Sequence, residues 1–528
     1  MLNEGEVLKG KLLDMVLDSE ITRTQNEIER HLAQFDPDYV FDLSHSFFRS
    51  MEEFINIFLE TEFSECVPNS ILNVRLGNSY LHNESNQRDV AVFLINKYDK
   101  RICRRVLNFL IMTSAFKGAA EANHGMGYFK YRGGPFSVGE AAKYYQSRRK
   151  TIVDLLFYLP GVCVGNRKPC TEDFFYELMH VAETGLSSLH LMRTKQVLAL
   201  LHNDYEVTVV DNGLLGNMNL EVLEDGFYEP QRISLVDQQK YRESDSVQSE
   251  YEDVPTGVLF SVQEFRNSMR IILDQVDDFR SRDQAKPETS AFTASYSLFM
   301  KVYEILLIVS SHCSDGYNID MGFDKFLEIV TSVVGDNVDS IFNVMCCEGR
   351  GWFDLVGTEY CFIIAGGKVR SNVNLMMRFS QYLSNKTLEK NKKFQINSGF
   401  LFEKKLRDIL INKGFKSENI TRIENKEFDV IVSRDNVVYN FQCKNNILNV
   451  RDVDVNVKRF VRHNKRLVNS FKNALEKECQ REDLLKKKLG VNSVCHYVVS
   501  RFPVFSENDS IISYNKFEEF VDEILLQN

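Results

Sequence analysis

The sequence lacks the cysteine spacings that mark a zinc-binding or disulfide-bonded scaffold. Its 11 cysteines are scattered over 528 residues, with no C-x-x-C and no cysteine and histidine at zinc-ligand spacing. The adjacent pair Cys346 and Cys347 does not suggest a disulfide framework. These absences argue against a zinc-finger or disulfide-rich class and favour reduced thiols in a cytosol.

Long apolar runs are also missing. No uncharged apolar run approaches the ~18 residues of a membrane span. The first residues, MLNEGEVLKGKLLDM, hold acidic side chains and no apolar core of a signal peptide. We therefore expect a cytoplasmic protein with no membrane span. There is no convincing internal repeat and no low-complexity tract.

What is present is ordinary for a globular protein, with 44% hydrophobic and 26% charged residues. The length predicts more than one domain, since domains run to ~100–200 residues. Charge is uneven: residues 391–528 hold 25 Lys and Arg against 19 Asp and Glu, and residues 1–390 hold 39 against 55. A basic unit beside an acidic remainder is typical of a polyanion-binding module, although modest asymmetry between domains is common.

Residues 1–390 read as a mostly helical region in which no family is recognised. Apolar stripes at helical spacing predict the helices, and Asp38 is placed to cap the second of them. Helices are expected within 1–120, 171–203, 263–280, 294–313 and 370–386; an isolated strand at 205–211 and others at 256–262 and 361–367; an exposed polar loop at 240–255.

The stretch from His124 to Lys150 is rich in glycine and interleaves basic with aromatic residues. Such a mixture can grip a phosphate backbone and stack bases. It contains no G-x-x-x-x-G-K-[ST] phosphate loop. We predict a structured surface loop here in preference to a nucleic-acid contact.

We predict three parts: a mostly helical region at 1–285, a helical region with a linker at 286–390, and a compact unit at 391–528. The polar residues 383–395 form the predicted linker. The N-terminal region is a candidate for contacts with a second copy or a partner protein.

The chain's chemistry concentrates between Ser398 and Asn446. Apolar residues at helical spacing, with Gly414 at the expected end, predict a helix that carries Glu403. Residues 427–432, EFDVIV, predict a strand with Asp429 at its start, followed by a turn at 434–436. Residues 437–444, VVYNFQCK, alternate as a second strand, which puts Gln442 and Lys444 on one face. In a hairpin, Asp429 can lie beside them.

These residue types suit phosphodiester hydrolysis. Carboxylate and amide oxygens hold Mg²⁺, which polarises a phosphate and acidifies bound water. A neighbouring lysine can orient that water or offset the charge of the transition state.

The order of these residues resembles the PD-(D/E)xK nuclease superfamily, in particular its branch of Mrr-type restriction enzymes and archaeal Holliday-junction resolvases. The resemblance covers about the last quarter of the chain. It implies that Glu403, Asp429 and Gln442 are catalytic residues that bind Mg²⁺ or Mn²⁺, and that Lys444 is the catalytic lysine. Gln442 stands where most members have glutamate, and its neutral oxygen implies weaker metal binding. Mrr-like proteins also use Q-x-K.

The rest of the C-terminal unit also fits the superfamily. Residues 453–488 predict one long helix or two, with a basic face that includes Lys458, Arg459, Arg462 and Arg466, candidates for nucleic-acid contact. A strand at 493–500 and a final helix give the order α-β-β-α-β-α, a mixed sheet flanked by helices. The superfamily has one more strand before the second helix, which only residues 447–450 could supply. A restriction-endonuclease-like domain is thus implied by the resemblance.

Two functions remain open. One is a metal-dependent nuclease acting on DNA, with a large helical region for recognition or regulation and, by analogy, an anti-phage or restriction role. The other is a non-catalytic nucleic-acid-binding or scaffold protein that keeps the fold. In the second case Asp429 is a strand-edge charge and Lys444 a solvated strand end, since such spacings also arise by chance.

Overall fold

A computed structural model describes most of the chain. It covers residues 3–59, 67–75, 84–124, 137–169, 173, 177–178, 181, 185–210, 213–217, 261–282, 291–313, 315–348, 352–355, 359–445, 456–501 and 504–527. Within these residues the N-terminal half is mostly helical, and mixed sheets with helices follow in the C-terminal part.

The N-terminal helices pack their apolar stripes into one core. Phe48, Met51 and Phe54 lie at its centre, and Trp352 joins it from much later in the chain. The helices are α1 (Gly10–Leu32), α2 (Pro37–Leu59), α3 (Asn69–Leu72), α4 (Glu84–Ile95), α5 (Lys100–His124), α6 (Val138–Val162) and α7 (Ser187–Leu201).

The start of α2 corrects the predicted cap at Asp38. Asp36 Oδ1 accepts a hydrogen bond from the backbone N–H of Tyr39 at 2.9 Å. Pro37 occupies the first helical position, where its missing N–H has no partner to lose. Asp38 instead pairs with Arg370 at 2.6 Å. Both aspartates can cap, and the proline decides which of them does.

The predicted strand at 205–211 forms, but it is not isolated. Strands β1 (Val7–Lys9), β2 (Glu206–Val210) and β3 (Gly213–Gly216) make an antiparallel sheet in that order. The prediction missed β1 because three residues carry no readable alternation. The predicted loop at 240–255 lies outside the described residues, as does the predicted strand at 256–262 apart from its last two residues, of which Val262 begins a helix.

The middle of the chain builds a second core around a four-stranded sheet with the order β4-β7-β6-β5. Its strands are β4 (Asn318–Gly322), β5 (Cys346–Cys347), β6 (Phe362–Ala365) and β7 (Lys368–Asn372). Its helices are α8 (Val262–Arg282), α9 (Ala291–Ser310), α10 (Phe323–Val334), α11 (Val338–Met345), α12 (Trp352–Leu355) and α13 (Val373–Leu388). This core runs from Phe265 to Phe394, so residues on both sides of position 285 share it.

Helix α9 is the one described helix that is long and apolar enough to cross a membrane. It carries Lys301 and Glu304, and Phe299, Ile305 and Leu306 are buried in the second core.

The C-terminal part contains a five-stranded mixed sheet with the order β14-β13-β12-β11-β8. Strands β12, β13 and β14 run parallel, and β11 is antiparallel to both its neighbours. The strands are β8 (Lys416–Ser417), β11 (Val430–Arg434), β12 (Val437–Lys444), β13 (Ser493–Ser500) and β14 (Ile511–Ser513), with a small hairpin of β9 (Arg422–Ile423) and β10 (Lys426–Glu427). The helices are α14 (Lys392–Asn412), α15 (Val457–Cys479), α16 (Glu482–Leu489) and α17 (Phe517–Gln527).

Local chemistry explains the hairpin that carries the candidate residues. Helix α14 ends where Gly414 adopts a φ of +89°, and the N–H of Phe415 reaches back to the carbonyl of Leu410 at 3.0 Å. Asp435 and Asn436, at φ of +50° and +63°, form the two-residue turn between β11 and β12. The predicted helix end and turn are both confirmed.

The order of elements contains more strands than the sequence pattern predicted. Strand β8 precedes β11, and β14 follows β13. Both are too short to show an alternation. Residues 447–450, the predicted source of an extra strand, lie outside the described residues.

The predicted linker at 383–395 is wrong. These residues end α13 and begin α14, and only Glu389–Asn391 separate the two helices. Leu388 and Asn391 are fully buried, and Phe394 packs edge-on against Phe279 of α8. The polar composition misled because the side chains of Thr387 and Asn391 bond to backbone groups inside the structure.

The predicted loop at 124–150 is also corrected where it is described. Residues from Val138 onward belong to helix α6, and Tyr144 and Tyr145 are buried in the first core. Arg149 is buried too and pairs with Glu52. Residues 125–136 lie outside the described chain.

Helix α15 joins the C-terminal sheet to the N-terminal helices. One core contains Phe460 and Phe471 of α15, Val498 of β13, and Val197 and Leu198 of α7. Beside it, Lys465 Nζ donates to the carbonyl of Leu200 at 3.2 Å, and His202 contacts Glu507 at 2.6 Å. The C-terminal part is therefore packed against the N-terminal half.

Candidate active site

Strand pairing brings Asp429 and Gln442 together. Val430 is paired with Phe441 in the antiparallel hairpin, so the next position outward sets Asp429 opposite Gln442. Lys444 leaves the same face of β12 as Gln442, two residues further on. The hairpin geometry predicted from the sequence is thus the one observed.

The carboxylate of Asp429 is fixed by two donors at one oxygen. Its Oδ2 accepts hydrogen bonds from Gln442 Nε2 and from the backbone N–H of Cys443, the latter at 2.7 Å. Burial raises the pKa of Asp429, and the Cys443 N–H and the nearby charge of Lys444 oppose that rise. Its Oδ1 has no such partner among the described residues and stays available to a ligand.

The hydrogen bond from Gln442 also sets the direction of its amide. Because the NH₂ group donates to Asp429, the carbonyl oxygen Oε1 is left as an acceptor with no partner among the described residues. Gln442 and Asp429 therefore present neighbouring oxygens at the open end of the hairpin.

Glu403 completes the group from helix α14. The α14 residues Phe402 and Leu406 pack on the sheet, and this places Glu403 near the start of β11. Burial and the charge of Asp429 raise the pKa of Glu403 to about 7. Among the described residues, its carboxylate forms no hydrogen bond or ion pair. A half-buried carboxylate without a partner, next to a second carboxylate, is an unfavourable arrangement unless something positive binds there.

Lys444 is half-buried, and within the described chain its ammonium group has no hydrogen bond or ion pair. It is close enough to Asp429 to lower the pKa of that carboxyl. A cation that faces a carboxylate without binding it can still contact a third group.

These residues suit a hard divalent cation. Glu403, Asp429 and Gln442 supply two carboxylates and an amide oxygen, the donors that Mg²⁺ and Mn²⁺ prefer. In the described parts of the chain, no group of three or more His, Cys, Asp and Glu side chains could hold a metal ion. The candidate set therefore depends on the glutamine as its third ligand.

Sequence reasoning missed two contributors to this site. Arg407, one helical turn after Glu403, donates from Nη2 to the backbone carbonyl of Asp429 at 3.2 Å. The spacing of four residues on α14 could have indicated it. The backbone N–H of Cys443 left no signal in the sequence.

A buried polar network lies behind the site on the same face of β12. Asn440 Nδ2 donates to Glu478 Oε2 of α15 at 3.0 Å, and Arg481 Nη1 donates to the other oxygen of Glu478 at 2.9 Å. His496 of β13 contacts Asn440 at 3.1 Å. The network ties α15 to the strand that carries Gln442 and Lys444.

The predicted basic face of α15 is exposed. Lys458, Arg459, Arg462 and Arg466 all face solvent, and the opposite side of the helix is buried. Arg462 Nε donates to the carbonyl of Lys458 at 3.2 Å. The remaining donors of these side chains are open to a polyanion.

Comparison with known proteins adds no relative. No protein-family model, no curated protein and no solved structure matches this chain.

Proposed function

We propose that the chain is a metal-dependent nuclease of the PD-(D/E)xK type that hydrolyses phosphodiester bonds in DNA. The carrying observation is Asp429, which two hydrogen bonds hold opposite Gln442, and the nearby carboxylate of Glu403, which has no partner among the described residues. The restriction-endonuclease-like fold is part of the proposal. The mixed sheet, with α14 before it and α15 after β12, supports it.

In this proposal Glu403, Asp429 and Gln442 hold Mg²⁺ or Mn²⁺. When bound, the ion polarises a phosphate oxygen and makes a bound water more acidic. Lys444, on the face of β12 that carries Gln442, orients the attacking water or contacts a non-bridging phosphate oxygen. The water oxygen would bond to phosphorus and lose one proton to solvent, the bond to one bridging oxygen would break, and the leaving oxygen would take up a proton from solvent.

The exposed basic face of α15 supplies the substrate contact. Its arginines and lysine neutralise backbone phosphates without reading bases, which is the usual basis of sequence-independent DNA binding. The anti-phage role and the cytoplasmic location remain proposals that rest on analogy and on composition.

The competing function is nucleic-acid binding without cleavage. The hydrogen bond from Gln442 to Asp429 favours it, because a carboxylate satisfied by an amide needs no metal. The carboxylate of Glu403, which has no partner in the described part of the chain, favours the nuclease.

Cleavage by the wild type decides between the two functions, and a Lys444→Ala variant tests the role of the lysine. Purified protein is incubated with supercoiled plasmid, and in parallel with a labelled RNA, in Mg²⁺, in Mn²⁺ and in EDTA. We expect the wild type to nick or linearise DNA only with the divalent ion, and Lys444→Ala to lose that activity with an unchanged melting temperature. If the protein cleaved only the RNA, the proposed substrate would be RNA in place of DNA.

Lys416→Ala is the matched control. Lys416 lies on the edge strand β8 of the same sheet, 77% exposed and paired with Glu418. We expect this variant to cleave like the wild type. A wild type that binds DNA and never cleaves it would favour the binding protein, and cleavage by Lys444→Ala at the wild-type rate would remove the lysine from the mechanism.

A further inference from the structure

Two arginines link the helix α14 segment to strand β11, one at each end. At the site end, Arg407 Nη2 donates to the carbonyl of Asp429 at 3.2 Å. At the far end, Arg434 Nη1 donates to the carbonyl of Lys413 at 3.2 Å. Both side chains are half-buried and both bonds join side chain to backbone. The two hydrogen bonds are chemically alike, but only the one from Arg407 lies beside the candidate site.

Arg407 links the two segments that carry the candidate carboxylates, those of Glu403 and Asp429. Glu403 is on the same helix one turn earlier, and Asp429 lies immediately before β11. The apolar contacts of Phe402 and Leu406 hold α14 on the sheet, but they leave its rotation and height less defined than a hydrogen bond does. Moving α14 by a fraction of an ångström would change the gap between the two carboxylates.

The charge of Arg407 acts on the same groups. Burial and the charge of Asp429 raise the pKa of Glu403, and the charge of Arg407 opposes that rise. Its guanidinium forms no ion pair with Glu403. The arginine therefore stabilises the ionised carboxylate while leaving its oxygens open.

We propose that Arg407 is a positioning residue of the candidate metal centre, which sets the distance between Glu403 and Asp429 through its hydrogen bond to the Asp429 carbonyl. The inference rests on the proposed function. Arg407 does not supply a ligand itself but orients residues that do. Removing partners of this kind typically changes metal affinity by 10–100-fold.

The test is calorimetric titration of Mn²⁺ into the full-length protein and into Arg407→Met. Removing a positive charge by itself would tighten the binding of a dication, whereas losing the positioning weakens it. The sign of the change therefore separates the two effects. Titration at about pH 8, above the value near 7 for Glu403, keeps protons from competing for the site.

We expect Arg407→Met to bind Mn²⁺ roughly tenfold more weakly than the wild type. The matched control is Arg434→Met, which loses the equivalent bond at the far end. It is expected to lower the melting temperature by a similar amount and to keep its Mn²⁺ affinity within about twofold. Cleavage rates measured against Mn²⁺ concentration should show a raised half-saturation for Arg407→Met and a recovered maximum at high metal.

Arg407→Lys covers the case in which the methionine variant does not fold. It keeps the charge on a shorter side chain, so a smaller loss of affinity, of about threefold, is expected. Equal or tighter Mn²⁺ binding by the folded variants would overturn the positioning role and leave the nuclease intact. A wild type that binds no Mn²⁺ would instead remove the proposed metal centre itself.

Discussion

Two pairs of buried acids in this chain are built in opposite ways. On α2, Glu52 and Glu53 are both 0% exposed, and each has its own guanidinium, from Arg149 and Arg105. In the C-terminal part, Glu403 of α14 and Asp429, just before β11, are partly buried near each other. Asp429 is held by an amide and a backbone N–H, and the carboxylate of Glu403 has no partner among the described residues.

The difference separates acids whose charge is balanced by an ion pair from acids whose charge is not. A buried carboxylate is costly unless paired, and the pairs on α2 meet that requirement inside the protein. The C-terminal acids do not, and the pKa of Glu403 rises to about 7 as a consequence. Burial alone therefore does not indicate a site. Burial of a carboxylate that forms no ion pair among the described residues is the feature that supports the proposed metal site.

Breaking a pair on α2 should have the largest effect on stability. Arg149→Met leaves Glu52 buried without its partner, and we expect a loss of about 3–5 kcal/mol in the free energy of unfolding. Urea denaturation measures it. Arg23→Met is the control, because its bonds to Glu20 and Glu27 are exposed and should contribute less than about 1 kcal/mol. Similar losses in the two variants would mean that pairing on α2 is not structurally important.

Adding a negative charge to the C-terminal pair should be the next largest effect. Gln442→Glu keeps the shape of the side chain and replaces a neutral oxygen by an anionic one, which a hard cation prefers. We expect Mn²⁺ to bind about tenfold more tightly, or about 1.4 kcal/mol. Gln480→Glu, at the exposed end of α15, is the same substitution away from the site. Equal affinity in Gln442→Glu and the wild type would exclude residue 442 as a ligand.

The pH dependence of stability tests Glu403 without any catalysis. Its pKa rises from 4.5 to about 7 on folding, so the folded state holds the proton more tightly than the unfolded state. Stability from this group is therefore present below pH 4.5 and is lost as the pH rises toward 7. In Glu403→Gln that loss should be absent, leaving the variant more stable at neutral pH by about 1 kcal/mol after allowance for partial exposure.

Urea denaturation from about pH 5 to about pH 8 measures this difference, and Glu424→Gln on an exposed turn is the control. Adding Mn²⁺ should stabilise the wild type and leave Glu403→Gln nearly unchanged, because the ion takes the place of the proton. If the free energy of unfolding changed with pH equally in the variant and the wild type, the pKa of Glu403 would not be raised by its surroundings.

Much of the C-terminal sheet could be predicted because its signals are local. The alternation of 437–444, the Asp435-Asn436 turn and the glycine after α14 each depend on a few adjacent residues. The pairing of Asp429 with Gln442 then follows from the turn. The roles of Arg407 and of the Cys443 N–H depend on how a helix lies on a sheet, and no local pattern encodes that.

In the N-terminal half, by contrast, the important contacts join segments far apart in the sequence. Helices were predictable from their stripes, but Arg149 reads as one of several surface cations until Glu52 is known to face it from another helix. Strand β1 pairs with a strand about 200 residues away. Local composition does not indicate which segments pair across a loop of that length. The false linker at 383–395 has the same cause, since polar residues there bond inward.

The smallest expected effect concerns the exposed cations of α15. Unlike Arg149 of α6 and Arg105 of α5, they have no acid partner among the described residues. Replacing Arg459, Arg462 and Arg466 by alanine should leave stability unchanged, because all three are exposed. Binding of a noncleavable DNA in Ca²⁺ should weaken, and its dependence on log salt concentration should flatten by about 0.9 for each lost phosphate contact. Fluorescence anisotropy over a salt series measures the slope.

Lys465 is left in place, since it bonds to the carbonyl of Leu200 and its loss could disturb packing. The control replaces Lys487 and Lys488, exposed on α16, and should keep the wild-type slope if α15 alone faces the DNA. An unchanged slope in the α15 variant would show that its cations only face solvent, and the DNA path would have to follow another surface of the sheet.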